Sequence, residues 1–278
     1  MNTMPSLFLS HGSPMLALEP REAGHFMQRL GPALTAAFGR PKAIIVASAH
    51  SLTREPVLLA GAHHAAVYDF GGFDPRLNEI RYDAPGATAL AQRAAELIQA
   101  AGLPVHRVAE SGLDHGIWTP LRYLFPEADI PVLPLAWPPD WSPAQLFALG
   151  GALTPLADEG VLLIGSGSIT HNLRRVFAGG GLHPQADKPA TPESTAFRDW
   201  FADRTSAADW PALWDYRRQA PHSALMHPSD EHLLPFFIAA GAGGKSQPGL
   251  RIHASLTFGE LGMDAYAFGS NAAQLAAV

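Results

Sequence analysis

Three aliphatic runs that end on histidine constrain this chain more than any other feature. Ser6 to Ser10 (SLFLS) stops at His11, and Ala43 to Ala49 (AIIVASA) stops at His50. Val161 to Ser168 (VLLIGSGS) runs on to His171. Short, near-continuous apolar runs bounded by Gly, Ser and Pro read as strands buried on both faces, as in parallel sheets. In open α/β sheets, ligands gather in the crevice beyond the carboxyl ends of the strands. Three imidazoles delivered to that edge predict a shared metal ion.

The rest of the chain alternates helices with strands. Pro20 to Phe38 reads as a helix with Phe26, Leu30, Leu34 and Phe38 on one face. Ser51 to Ala84 reads as a long ordered loop with a short strand or two, holding His63, His64 and the run YDFGGFD at 68–74. A helix is expected over Pro85 to Ala101, stopped by Gly102. A short strand over Pro104 to Val108 leads to the loop 111–121 that presents His115, with a helix at about 118–125. Ile130 to Trp137 is a strand, and Ser142 caps a helix running to about Asp158. Phe177 to Ala190 reads as a Gly- and Pro-rich surface loop. Helices follow over Thr191 to Ala207 and Asp209 to Ala220. Ser229 is placed to cap a helix from about Asp230, and 241–249 reads as a turn. Arg251 to Phe258 closes the pattern as a final, antiparallel strand. Strands alternating with helices, with no linker or repeat, give a single α/β domain over 1–278 with a mostly parallel, mixed central sheet flanked by helices.

Composition narrows the chemistry. The net charge of −6 argues against a nucleic-acid partner. No apolar run is long enough to span a membrane, and the first residues do not read as a signal peptide, so a cytoplasmic location is expected. With no cysteine and 13 histidines, imidazole and carboxylate are the strong metal ligands left. Gly165-Ser-Gly-Ser lacks the continuation of a nucleotide-binding loop, and His-Gly-Ser-Pro is not a nucleophile elbow. The aromatics at 197–214 have helical spacing and read as core.

His11 and His50 end buried strands beside small residues, either as metal ligands or as strand-end caps bonded to loop carbonyls. His232 is the favoured third ligand, with His227 and Glu231 as rivals. Glu231 would complete a two-histidine, one-carboxylate iron site, whereas three imidazoles resemble a catalytic zinc site. His171 suits an acid/base role at the usual imidazole pKa of about 6.5, or a fourth ligand position. His115 is placed to contact an anionic substrate oxygen. His25, His106, His183 and His253 read as structural; the pair His63 and His64 either reaches a site or faces water, and the role of His222 is open.

Six motifs occur in one order: LFLSHGSPM, VASAH, DFGGF, GLDHGIW, GSGSITHNL and EHLLPF. Over residues 5 to about 260 the chain resembles the class III extradiol ring-cleavage dioxygenases, in their DOPA 4,5-dioxygenase-like branch. That resemblance implies a single-domain α/β fold with a non-haem metal at one end of the sheet. It implies His11, His50 and His232 as metal ligands, His171 as acid/base or further ligand, and His115 as a substrate contact. In the wider class a glutamate stands where this branch offers a third histidine. Fe(II) is implied for oxygen chemistry, with Zn(II) as an ion such a set holds on isolation. The implied reaction joins O2 and a catechol, His171 taking a proton, and opens the ring to a semialdehyde. A zinc-dependent hydrolase on the same scaffold, and a non-catalytic metal binder, are the competing readings.

Overall fold

The computed structural model describes residues 3–178 and 187–278. The three aliphatic runs lie side by side in its central sheet. In chain order the elements that build the domain are β1 (Ser6–Ser10), α1 (Arg21–Phe38), β2 (Ala43–Ser48), β3 (Val57–Leu59), α2 (Thr88–Ala100), β4 (His106–Val108), α3 (His115–Leu124), β5 (Val132–Ala136), α4 (Pro143–Ala152), β6 (Val161–Gly167), α5 (Leu173–Val176), α6 (Pro192–Ser206), α7 (Pro235–Gly243), β7 (Leu250–His253) and β8 (Ala265–Phe268). Sheet order is β4-β3-β5-β2-β6-β1-β8-β7. The centre, β5-β2-β6-β1, is parallel. β8 and β7 add antiparallel strands at one edge, and β3 runs antiparallel to β5 near the other.

Alternation along each central strand feeds two cores. Phe8, Ile45, Leu133 and Leu163 face a layer containing α2, α4, α6 and α7. Leu7, Leu9, Ile44, Val46 and Ile164 face the opposite layer, where α1 and α3 pack. Both faces of β1, β2 and β6 are therefore covered, which is why these strands read as unbroken apolar runs. Among the described residues no helix is long and apolar enough to cross a membrane.

Several elements differ from the sequence reading. The expected helix from Asp230 begins at Pro235, and Ser229 Oγ donates to Glu231 Oε1 and caps nothing. That helix is buried along almost its whole length and continues to Gly243, so the expected turn starts only at Gly244, with φ +94°. Asp209–Ala220 breaks into Trp210–Trp214 and Tyr216–Gln219 at Asp215. The third helix starts at His115, three residues early. The second starts only at Thr88, because Ala84 and Pro85 pair with His64 and His63. Ser142 forms the expected capping structure, in which its Oγ accepts from Gln145 N–H, but the α-helix ends at Ala152 and a 3-10 turn continues it. The expected loop 177–190 falls partly outside the described residues, and His183 lies there.

Two glycines of the GSGS run let α7 and the segment before it lie directly on the sheet. A Cβ on Gly167 would stand 2.0 Å from the His232 carbonyl oxygen, and one on Gly165 would stand 2.2 Å from that of Pro235. The contact is sealed by Ser168 N–H, which donates to the His232 carbonyl at 2.8 Å. Backbone cannot yield as a flexible side chain does. Gly167→Ala is therefore expected to cost about 1–3 kcal/mol of stability through overpacking, read by chemical denaturation. Wild-type stability in that variant would show that the close approach is not needed.

Candidate metal centre

β1, β2 and β6 are parallel, so the residues just past their ends meet at one edge of the sheet. His11, His50 and His232 come together there, with one ring nitrogen from each within 4.8 Å of the others. Ring centroids stand 5.1 Å apart for His11–His50, 5.5 Å for His11–His232 and 5.0 Å for His50–His232. His115 joins them, 4.0 Å from His50. His171 stacks flat on His232, with centroids 3.5 Å apart and 8° between planes.

Hydrogen bonds orient these rings. Ser166 Oγ donates to the Gly116 carbonyl, so toward His11 Nδ1, 3.0 Å away, it acts as acceptor. His11 Nδ1 therefore carries the proton and Nε2 keeps its lone pair. That Nε2 faces His50 Nε2 at 3.1 Å. His232 Nδ1 lies 3.0 Å from Glu231 Oε1, which only a protonated Nδ1 satisfies. Asp69 Oδ2 stands 3.8 Å from His50 Nδ1. Its Oδ1 accepts from both the backbone N–H (3.0 Å) and the Nδ1–H (2.9 Å) of His115. Such partners on the outward nitrogen are the usual mark of a metal-binding imidazole.

Charge follows burial. Desolvation pushes His11 and His232 well below the ordinary imidazole value, and neighbouring imidazoles push the same way. His50 and His171 are lowered to about 4, again chiefly by burial, with Asp69 raising His50 and Glu231 raising His171. These rings are neutral at neutral pH, the state in which imidazole binds a metal or accepts a proton. His171 is thus a weaker base than the ordinary value assumed from sequence.

The donor set fits one ion. Two nitrogens each about 2.1 Å from one metal, at tetrahedral or square angles, lie roughly 3.0–3.4 Å apart. The observed 3.1 Å falls in that range. In two further groupings, His50–Asp69–His115 and His171–Glu231–His232, one potential ligand atom from each residue also lies within 4.8 Å of the others. Of the rival third ligands, His227 turns away: its Nε2–H donates to the Ile169 carbonyl at 2.7 Å. Glu231 is occupied by His232 and Ser229.

Of the histidines expected to be structural, the three among the described residues stay apart from the cluster. His25 bonds Gln28, His106 bonds Glu55, and His253 stacks on Phe26 and bonds Ser255. His63 and His64 form a short strand elsewhere, and His222 sits in a left-handed turn. Sequence reasoning missed Asp69, Ser166 and Asp114. Asp114 accepts from Ser48 and Ser51, both at 2.6 Å, and so ties the end of β2 to the His115 turn. Only the position of Asp69 in DFGGF and of Asp114 in LDHG marked them beforehand.

Known proteins with this arrangement point one way. Residues 5–269 match the family model described as the catalytic LigB subunit of aromatic ring-opening dioxygenase, a metal-dependent group. A 4,5-DOPA dioxygenase extradiol of Beta vulgaris is 36% identical, across 97% of this chain and 98% of its own. One from Escherichia coli K12 is 37% identical, across 88% and 87%. The crystal structure of an uncharacterized protein from Escherichia coli K12 superposes with a TM-score of 0.75 at 32% identity, over 96% of this chain and 100% of that one. The hydrolase reading finds no support among these relatives. With the family model spanning nearly the whole sheet and both histidine-bearing ends of the chain, this protein belongs to the LigB family of extradiol, aromatic ring-opening dioxygenases.

Proposed function

We propose that this chain opens the ring of a DOPA-like catechol with O2 at Fe(II) held by His11, His50 and His232. The observation that carries the reading is the 3.1 Å approach of His11 Nε2 and His50 Nε2, with the outward nitrogen of His11 held by Ser166. Iron, when bound, supplies the redox chemistry that lets O2 attack the ring and break a ring carbon–carbon bond. Everything else falls to the protein. His11, His50 and His232 would hold the ion as three neutral imidazoles, and its charge would then favour the loss of protons from the catechol hydroxyls.

His171 takes one of those protons. It is neutral, only partly buried, and lies against the ring of His232, so its free nitrogen has access to a substrate oxygen beside the metal. His171 as a fourth ligand is the second possibility, favoured by its grouping with Glu231 and His232. His115 gives its Nδ1–H to Asp69, which leaves Nε2 for the second substrate oxygen. The buried Ser48–Asp114–Ser51 bonds hold the two loops in register. The same reading makes residues 1–278 one catalytic domain in the cytoplasm, acting on a small catechol and O2 with no nucleic-acid or membrane partner. Zn(II) would occupy the site as an ion that binds without supporting ring opening.

Asp69 holds His115 by two hydrogen bonds and sets its negative charge 3.8 Å from His50 Nδ1, so Asp69→Asn is expected to lower kcat/KM by about 10–100-fold, the usual cost of losing a partner of a metal-site histidine. An unchanged kcat/KM would remove Asp69 from the machinery. The reading as a whole is tested by loading the protein with Fe(II) anaerobically and following O2 uptake with a catechol. Uptake matched to catechol consumed, with a yellow semialdehyde product, is expected. No uptake with any catechol would overturn it.

A further inference from the structure

Beside the histidine cluster lies a cleft of about 690 Å³, bounded by Gly12 and Ser13, the residues that follow His11. We infer that this cleft seats a bulky, uncharged substituent of the catechol, so that the preferred substrate carries an apolar side chain where DOPA carries an amino acid. The inference rests on the ring-opening reading and narrows its substrate.

Position, size and lining all bear on it. One wall is the segment just after His171, with Leu173, Val176 and Phe177. Facing it is Phe73, whose ring stands 5.9 Å from Phe70, itself 5.6 Å from His115. One wall thus continues from the residues after His171, and the other leads through Phe70 to His115. About 150 Å³ is enough for one benzene ring, so 690 Å³ holds far more than the ring to be cleaved. Phe73, Leu173 and Phe177 are exposed large hydrophobics, and all three line this one cleft. Exposed apolar groups collected in one place mark a binding surface.

The charges in the wall are already matched. Among the described residues lining the cleft, the charged ones are Glu19, Arg21 and Asp74. Arg21 bonds Glu19 at 2.6 Å and stands 3.7 Å from Asp187. Asp74 accepts from Arg76 through both carboxylate oxygens and also from its backbone N–H. A carboxylate or ammonium on the substrate would compete with these pairs for its partner. An apolar substituent would only displace water from Phe73, Leu173 and Phe177.

The test compares 4-(2-phenylethyl)catechol with DOPA. With Zn(II)-loaded protein, where turnover does not consume the catechol, calorimetric titration should give a Kd for the phenylethyl compound about tenfold lower or better. With Fe(II)-loaded protein, O2 uptake should give a kcat/KM preference of similar size, carried mainly by KM. Leu173→Asp, a change at an exposed position, should abolish the preference. Equal or tighter binding of DOPA would overturn the cleft assignment while leaving ring opening intact, as would a preference that survives Leu173→Asp. Absence of O2 uptake with both catechols would instead overturn the ring-opening reading beneath it.

Discussion

His11→Ala is expected to strip the metal from the protein and to abolish ring opening with it. Losing an outer partner of a metal-bound histidine already costs about 10–100-fold in affinity, so losing the ligand should exceed about 100-fold. His11 stands at the centre of the cluster, within 5.5 Å by ring centroid of His50, His115 and His232. The fold should survive. Ser166 Oγ keeps its bond to the Gly116 carbonyl when the imidazole is gone, so no buried donor is stranded. The measurement is metal content per chain after anaerobic purification, with thermal unfolding as the control for folding. Full occupancy in a folded His11→Ala protein would remove His11 from the ligand set.

His171→Ala should behave in the opposite way, retaining the metal while kcat falls by about 10²–10⁴-fold, the range for loss of a general acid or base. The imidazole also packs on His232, so a fall in rate has two explanations. His171→Phe separates them, because it restores a flat ring against His232 but no proton acceptor. A rate as low in the Phe variant as in the Ala variant supports proton transfer. Recovery of rate in the Phe variant would mean that His171 acts by propping His232. Loss of metal from both would make it a fourth ligand.

Much of this was legible in the residues because the central strands are buried on both faces. β1, β2 and β6 announce themselves as unbroken apolar runs, and the parallel order that follows brings His11, His50 and His171 to one edge. Other parts are set by contacts distant in sequence. β8 has four buried residues, AYAF, and becomes a strand only by pairing between β1 and β7. α7 starts late because Ser168 bonds the His232 carbonyl and keeps the preceding residues out of helix. Asp69 reaches His115 across 46 positions, and Ser166 reaches His11 across 155. No local pattern reports such a bond. The acidity of His171 was misjudged for the same reason, since its lowered value comes from burial, and the ring it stacks on, His232, is 61 positions away in the chain.

The central claim is that one ion sits among His11, His50 and His232. Anomalous diffraction at the iron edge from crystals of anaerobically Fe(II)-loaded protein tests it most directly. A single peak about 2.1 Å from one nitrogen of each of these three rings is the expected result. A peak between His50, Asp69 and His115, or between His171, Glu231 and His232, would contradict it.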